Sequence, residues 1–220
     1  MPHLEIGMAM APMAGQVTMA DRHVVLTRAD SMLVAVIDGI GHGELAEFAA
    51  VEATRTMTEA PPESLESLVA RCHDRLRTTR GAVMSLASLD PERGLLTWLG
   101  VGNVAGVVFR YRGTSHLRGA GLSREQRVGA GQETAEDQHD EYLVLRNGVV
   151  GDRLPTLFPR QLQLRHGDTL VFATDGVASE FDQEDDFHDT PQHLAERLLK
   201  RYAKGTDDAL VLVIRYQGAA

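Results

Sequence analysis

A single cysteine, Cys72, stands in a chain of 220 residues, so no intrachain disulfide can form and stability has to come from a packed core. Cys72 falls within a helical pattern and reads as a small apolar residue. Long apolar runs are also missing. None approaches the roughly 20 residues of a bilayer span. Met1 to Ala11 lacks a basic start and a long apolar stretch, so no secretory signal is expected, and a soluble cytoplasmic protein is the default. Basic residues are in deficit: 22 Lys and Arg against 31 Asp and Glu give a net charge of -9. That balance argues against nucleic acid and against an anionic membrane surface as partners. The nine histidines show no His-x-x-x-His spacing, so a zinc site has little support.

What remains is ordinary globular composition, 43% hydrophobic and 24% charged, enough for a normal core without staples. The length favours one domain spanning residues 1–220. Glu5 to Met10, His23 to Leu26 and Leu33 to Ile37 read as strands, the last apolar enough to be buried on both faces. Helical spacing follows over Glu44 to Thr58, and again from Pro61-Pro62-Glu63-Ser64 through Leu76. From Gly81 the period is two. Ala82 to Leu89, Leu95 to Val101 and Val104 to Tyr111 read as strands joined by hairpin turns at Asp90–Gly94 and at Gly102-Asn103. Gly119 to His139 has little periodicity and reads as a loop. Tyr142 to Leu145 and Thr169 to Thr174 read as strands, Pro191 to Tyr202 as a helix, and Ala209 to Tyr216 as the last strand. Hairpin-linked strands with segregated helices give an α+β class with largely antiparallel sheets.

Aspartates stand at the ends of three apolar runs. Asp38 follows Leu33 to Ile37 and opens Asp38-Gly39-Ile40-Gly41-His42-Gly43. Asp175 follows Leu170 to Thr174 and precedes Gly176, and Asp207-Asp208 precede Ala209 to Ile214. A buried strand that ends in a carboxylate delivers it to the rim of a core. Singly, each of these is also an ordinary turn, because Asp-Gly is a common turn dipeptide. Jointly, with Asp21 ahead of its own strand, they suit one hard-cation site. Carboxylates held together repel, and a divalent ion removes that cost. Oxygen donors favour Mg²⁺ or Mn²⁺ over zinc. Two such ions sharing a carboxylate and a bridging water produce a hydroxide for in-line attack at phosphorus. The glycines of Gly39–Gly43 let backbone approach a metal or phosphate closely, although the loop matches neither the dinucleotide fingerprint nor a P-loop.

The ordered set of Asp21, Val36-Ile37-Asp38-Gly39-Ile40-Gly41-His42-Gly43, Gly100-Val101-Gly102-Asn103-Val104, Ala173-Thr174-Asp175-Gly176 and Asp207-Asp208 resembles the SpoIIE-type branch of the metal-dependent type 2C protein phosphatases. Arg71-Cys72-His73 leading to Thr79-Arg80-Gly81-Ala82 looks most like its stand-alone RsbX-type members. The resemblance covers nearly the whole chain. It implies a four-layer α-β-β-α sandwich, with two stacked antiparallel sheets and helices outside each. It implies two ions, Mn²⁺ or Mg²⁺, and a catalytic set of Asp21, Asp38, Asp175 and Asp207. In that scheme Asp38 bridges the ions and the Gly39 carbonyl adds a ligand. Asp175 holds one ion, Asp207 the other, and Asp21 binds directly or through water. Asp208, His42 and Arg22 are candidates for the surrounding shell. The implied activity is serine/threonine phosphatase action on phosphorylated STAS-domain proteins of stressosome-type signalling complexes, by a monomer or weak dimer.

Three positions depart from the family pattern. Ala20 precedes Asp21 where glycine is usual, Leu210 stands where Ser or Thr is common, and only Arg22 is a basic residue near Asp21. They leave two other readings open: a regulatory binding module of the same fold with little turnover, and a small-molecule phosphatase. The acidic run Glu180 to Asp189 reads as a solvated loop, with a charge-screening flap or a weak third cation site as alternatives. Arg71 to Arg80 reads as a solvated helix face, and Asn103 as a hairpin-tip residue in the left-handed region.

Overall fold

Strands that are apolar on both faces need a covering layer on each side, and a computed structural model supplies both layers by stacking. It describes residues 3–28, 30–60, 63–112, 139–184 and 186–218. In chain order the elements are β1 (Leu4–Ala11), β2 (Asp21–Thr27), β3 (Met32–Gly39), α1 (Glu44–Glu59), α2 (Leu65–Leu76), β4 (Ala82–Asp90), β5 (Leu95–Val101), β6 (Ala105–Phe109), β7 (Glu141–Tyr142), β8 (Leu145–Arg146), β9 (Arg160–Gln163), β10 (Thr169–Ala173), α3 (Pro191–Tyr202) and β11 (Ala209–Tyr216). One sheet runs β1-β11-β10-β6-β7 and the other β2-β3-β4-β5-β8, with β9 also paired to β5. Pairing is antiparallel except between β5 and β8.

Alternation along β3 explains the stacking. Leu33, Ala35 and Ile37 belong to a buried cluster with Ala49, Ala53 and Met57 of α1 and Leu68 and Cys72 of α2. Val34 and Val36, on the opposite face, share a second cluster with Phe172, Leu210 and Leu212 of the other sheet. Leu194, Ala195 and Leu198 of α3 cover the far side of that sheet, over Val171, Val211 and Val213. Three buried layers therefore separate four structural ones, in the order α-β-β-α. Cys72 is fully buried and its thiol is pushed up to about 12 by burial, as suits a packing residue.

Local signals account for the helix starts. The hydroxyl of Ser64 accepts from the Ser67 N–H, so α2 begins at Leu65, beyond Pro61 and Pro62, which lie outside the described residues. Thr190 caps α3 in the same way, with Pro191 in its first turn. α1 starts from Gly43, so His42 is not its cap. Gly39 is where α1 docks on its sheet. A Cβ added there would lie 2.1 Å from the Ala46 carbonyl oxygen, which is backbone and moves only with the helix. Gly39→Ala is expected to lower stability by about 1–3 kcal/mol, read as an earlier urea midpoint at unchanged slope.

Two expectations change, and one strand is new. Gly102-Asn103 does not turn a hairpin: β5 and β6 lie in different sheets, and β6 pairs with β10 in the register Ala105↔Ala173. Gly102 takes a φ of 97° against Val83, and Val104 drops into the layer between the sheets, which carries the chain across. The expected strand at Tyr142 to Leu145 is two short strands, one in each sheet, because Leu143 between them inserts into the inter-sheet core. β9 was not legible: of Arg160-Gln161-Leu162-Gln163 only Leu162 is buried. Most of the expected loop over Gly119 to His139 lies outside the described residues.

Candidate functional site

Antiparallel pairing brings the start of β2 and the end of β3 to one end of the sandwich, and does the same for the end of β10 and the start of β11. Asp21 and Asp38 are directly opposed in register. Asp38 has the parity of Val34 and Val36, so its carboxylate points into the gap between the sheets. Asp175 and Asp207 reach the same gap from the other sheet. A cavity of about 380 Å³ opens there, lined by Asp38, Asp175 and Asp207 together with His42, Asn103 and Asn147. Glycine permits this convergence. A Cβ on Gly176 would stand 1.9 Å from the Asp208 carbonyl oxygen, so only glycine lets the turn after Asp175 lie against the Asp207-Asp208 segment.

Asp21 lies behind this rim and is 1% exposed. The Thr174 hydroxyl donates to its Oδ2 at 2.7 Å and accepts from the Leu210 N–H at 2.9 Å. Thr174 thus ties the carboxylate to β11, and the Leu210 position contributes through its backbone, with its side chain buried between the sheets. Asp208 serves backbone rather than the cavity. Its two oxygens accept from the N–H groups of Met13 at 2.8 Å and Ala20 at 2.6 Å, fastening the β1–β2 connection. Ala20 also accepts from the Gly39 N–H, so its peptide is held on both sides.

The electrostatics follow from crowding. Burial and then the neighbouring aspartates push Asp38 up to about 8. Burial raises Asp21 to about 7, against the opposing hydrogen bond from Thr174. Asp175 is raised by burial and by Asp207, with Lys204 and Asn103 opposing. Among the described residues no three carboxylates, imidazoles or thiols stand close enough to make a ready-made cage. The arrangement is an open all-oxygen array in which protons partly hold the repulsion down. Such a donor set fits a hard divalent cation that keeps several of its own waters, as Mg²⁺ does.

Other predicted positions fall less centrally. His42 is exposed on the cavity wall. Arg22 has the parity of the helix-facing residues of β2. Its guanidinium binds Glu47 at 2.6 Å and the carbonyls of Met19 and Asp21, so it is not aimed at the cavity. Asn103 was misread. No non-glycine residue among those described has positive φ, and the Asn103 amide donates to Asp175 Oδ2 at 2.7 Å. No local signal marks that role; it appears only once β6 pairs with β10. The acidic run is clasped rather than merely solvated. Arg201 meets Glu184 at 3.4 Å, Arg197 binds Asp189, and Arg215 holds the carbonyls of Phe187 and Asp189. On the helix face, Arg71 pairs with Glu63 and Arg75 with Glu52, exposed contacts worth little energy.

The family model for Stage II sporulation protein E (SpoIIE) matches residues 28–217. The chain belongs to the SpoIIE family. Phosphoserine phosphatase RsbX of Bacillus subtilis (strain 168) is 30% identical to this SpoIIE-family chain over 84 residues, a match spanning 38% of the chain and 42% of that relative. A chain solved in work on the bacterial stressosome as a modular system adapted to control secondary messenger signalling aligns with a TM-score of 0.77 at 25% identity, over 96% of this chain and 99% of that one. RsbX in complex with magnesium aligns with a TM-score of 0.78 at 17% identity, over 97% and 96%. The PP2C phosphatase domain of SpoIIE from Bacillus subtilis aligns at 0.69 and 19% identity, over 96% and 63%. The SpoIIE-family sandwich is thus the type 2C phosphatase fold. Among the described residues no helix is long and apolar enough to cross a membrane.

Proposed function

We propose that this chain is a divalent-metal-dependent phosphoserine/phosphothreonine protein phosphatase, in a single domain over residues 1–220. The observation that carries the reading is the meeting of Asp38 from one sheet with Asp175 and Asp207 from the other in one cavity, with Asp21 opposed to Asp38. Membership of the SpoIIE family and the partial match to a phosphoserine phosphatase support it. Asp38 and the Gly39 carbonyl, with Asp21 behind them, would hold ions on one side, and Asp175 and Asp207 on the other. When bound, two Mn²⁺ or Mg²⁺ ions supply an activated water and offset the charge of the phosphoryl oxygens. The protein's own part is placement. Thr174 and the β2–β3 register fix Asp21 and Asp38, and the Asn103 amide fixes Asp175. Hydrolysis takes up one water, breaks the phosphorus–oxygen ester bond, and releases the Ser or Thr hydroxyl and inorganic phosphate.

The proposed substrate is a phosphorylated STAS-domain protein of a stressosome-type complex, a reading supported by the similarity to RsbX and to the chain from the stressosome work. The test compares release of inorganic phosphate from a phosphorylated STAS-domain protein and from p-nitrophenyl phosphate, with Mn²⁺, with Mg²⁺ and with chelator. Metal-dependent turnover with a much higher kcat/KM for the phosphoprotein is expected. Equal or better turnover of small phosphates would replace the substrate class, and no turnover of either would favour a binding module.

A further inference from the structure

We propose that Arg80 is the residue that anchors the substrate's phosphoryl group at the mouth of the acidic cavity, a role that rests on the phosphatase reading above. A phosphomonoester dianion entering this cavity meets three carboxylates on its walls, and His42 is the one side chain of its described lining able to carry positive charge. A guanidinium reaching in from the rim would supply the missing attraction and, with its planar fork, orient the group. Arg22 is not available, being bound to Glu47 and two carbonyls. Lys204 is also engaged, donating from Nζ to the Asp175 carbonyl at 2.6 Å.

Arg80 is placed differently. It is exposed and makes no hydrogen bond or ion pair among the described residues. Its guanidinium lies over Gly41, a lining residue of the cavity. A Cβ on Gly41 would stand 2.8 Å from Arg80 Nη1, and Gly41 has a φ of 92°, so the loop leaves room for the cation. The turn that carries Arg80 is fastened to the same loop. The Gly81 carbonyl accepts from the Ile40 N–H at 3.1 Å. The Thr79 hydroxyl accepts from the Gly81 N–H at 3.0 Å and donates to the Leu76 carbonyl at 2.8 Å at the end of α2. The base of the side chain is therefore set against the Gly39–Gly43 loop while its charged end stays free for an anion.

The test uses the full chain with Mn²⁺ and p-nitrophenyl phosphate, and inorganic phosphate as inhibitor and as titrant in calorimetry. Arg80→Ala is expected to raise KM and weaken phosphate binding, each by about 10- to 100-fold, the range for a charge-assisted hydrogen bond. Arg80→Lys should fall between, because it keeps the charge and loses the fork. Arg77→Ala removes a cation from the helix C-cap nearby and should behave as wild type. The Mn²⁺-induced rise in Tm should survive in Arg80→Ala. The proposal is overturned if Arg80→Ala matches Arg77→Ala in KM and phosphate affinity, or if it loses the Mn²⁺ response, which would mean that Arg80 only shapes the loop. A wild type that hydrolyses neither p-nitrophenyl phosphate nor a phosphorylated STAS-domain protein sinks the phosphatase reading, while the phosphate titration still decides on Arg80.

Discussion

Asp38→Asn is expected to lower Mn²⁺-dependent hydrolysis of p-nitrophenyl phosphate by at least about 10²–10³-fold, the scale for losing one group that stabilises charge in the transition state. The same substitution should leave the metal-free fold intact, and above pH 8 should make it harder to melt. Asp38 sits at the end of a fully apolar strand, with Asp21 opposed across the pair and Asp175 and Asp207 across the gap. An amide fills the same space without contributing to the repulsion that pushes Asp38 up to about 8. Loss of activity paired with retained or improved metal-free stability is the signature of a residue placed for function. Full activity in the variant would end the proposal of a shared metal site, and an unfolded variant would mean that Asp38 mainly supports the fold.

In chelator, Tm should fall as pH rises from 7 to 8.5, and Mn²⁺ should restore it by an increment that grows over the same interval. In the folded chain Asp21 and Asp38 titrate at about 7 and about 8, against an ordinary value of 3.8. Folded protein therefore keeps protons that unfolded protein has released. Stability from this source is complete below the ordinary carboxylate value and is lost as pH climbs through 7 and 8. His23 acts in the opposite sense, its burial holding it below 6.5, so its contribution is already complete where the measurement begins. A cation competes with the same protons, so its apparent affinity rises with pH. Scanning calorimetry of wild type and Asp38→Asn, with and without Mn²⁺, checks the whole pattern. A Tm flat across this interval in the metal-free wild type would show that the carboxylates do not crowd one another as described.

Asp38, Asp175 and Asp207 were legible because each stands where an apolar run meets a glycine or a second aspartate, and burial on both faces of a strand leaves a carboxylate only its end to occupy. The runs themselves gave an α+β class with buried strands; the order of the four layers came from the family resemblance. The partners of the aspartates were not legible. Thr174 and Asn103 act through pairings separated by 153 and 72 residues, and Asp208, expected in the surrounding shell, meets the Ala20 backbone across 188. Gly102-Asn103 looked like a hairpin because both flanks have period two, and periodicity carries no information about which sheet a strand joins. The departures at Ala20 and Leu210 have a local explanation: both positions contribute through backbone N–H groups, which their side chains do not alter.

Asp38 ends a strand of one sheet, Asp175 and Asp207 stand in the turns just after β10 and just before β11 of the other, and what lies between the sheets is a layer of side chains that includes Trp98, Phe172 and Leu212. The two sides of the site are therefore held by the two sheets, through the ends of their strands and the short turns beside them. They are the two plates of a caliper, and its opening is ruled by the volume of an apolar filling that never touches an ion. In the proposed metal site, the span available to a cation would then be set by residues far from any of the carboxylates.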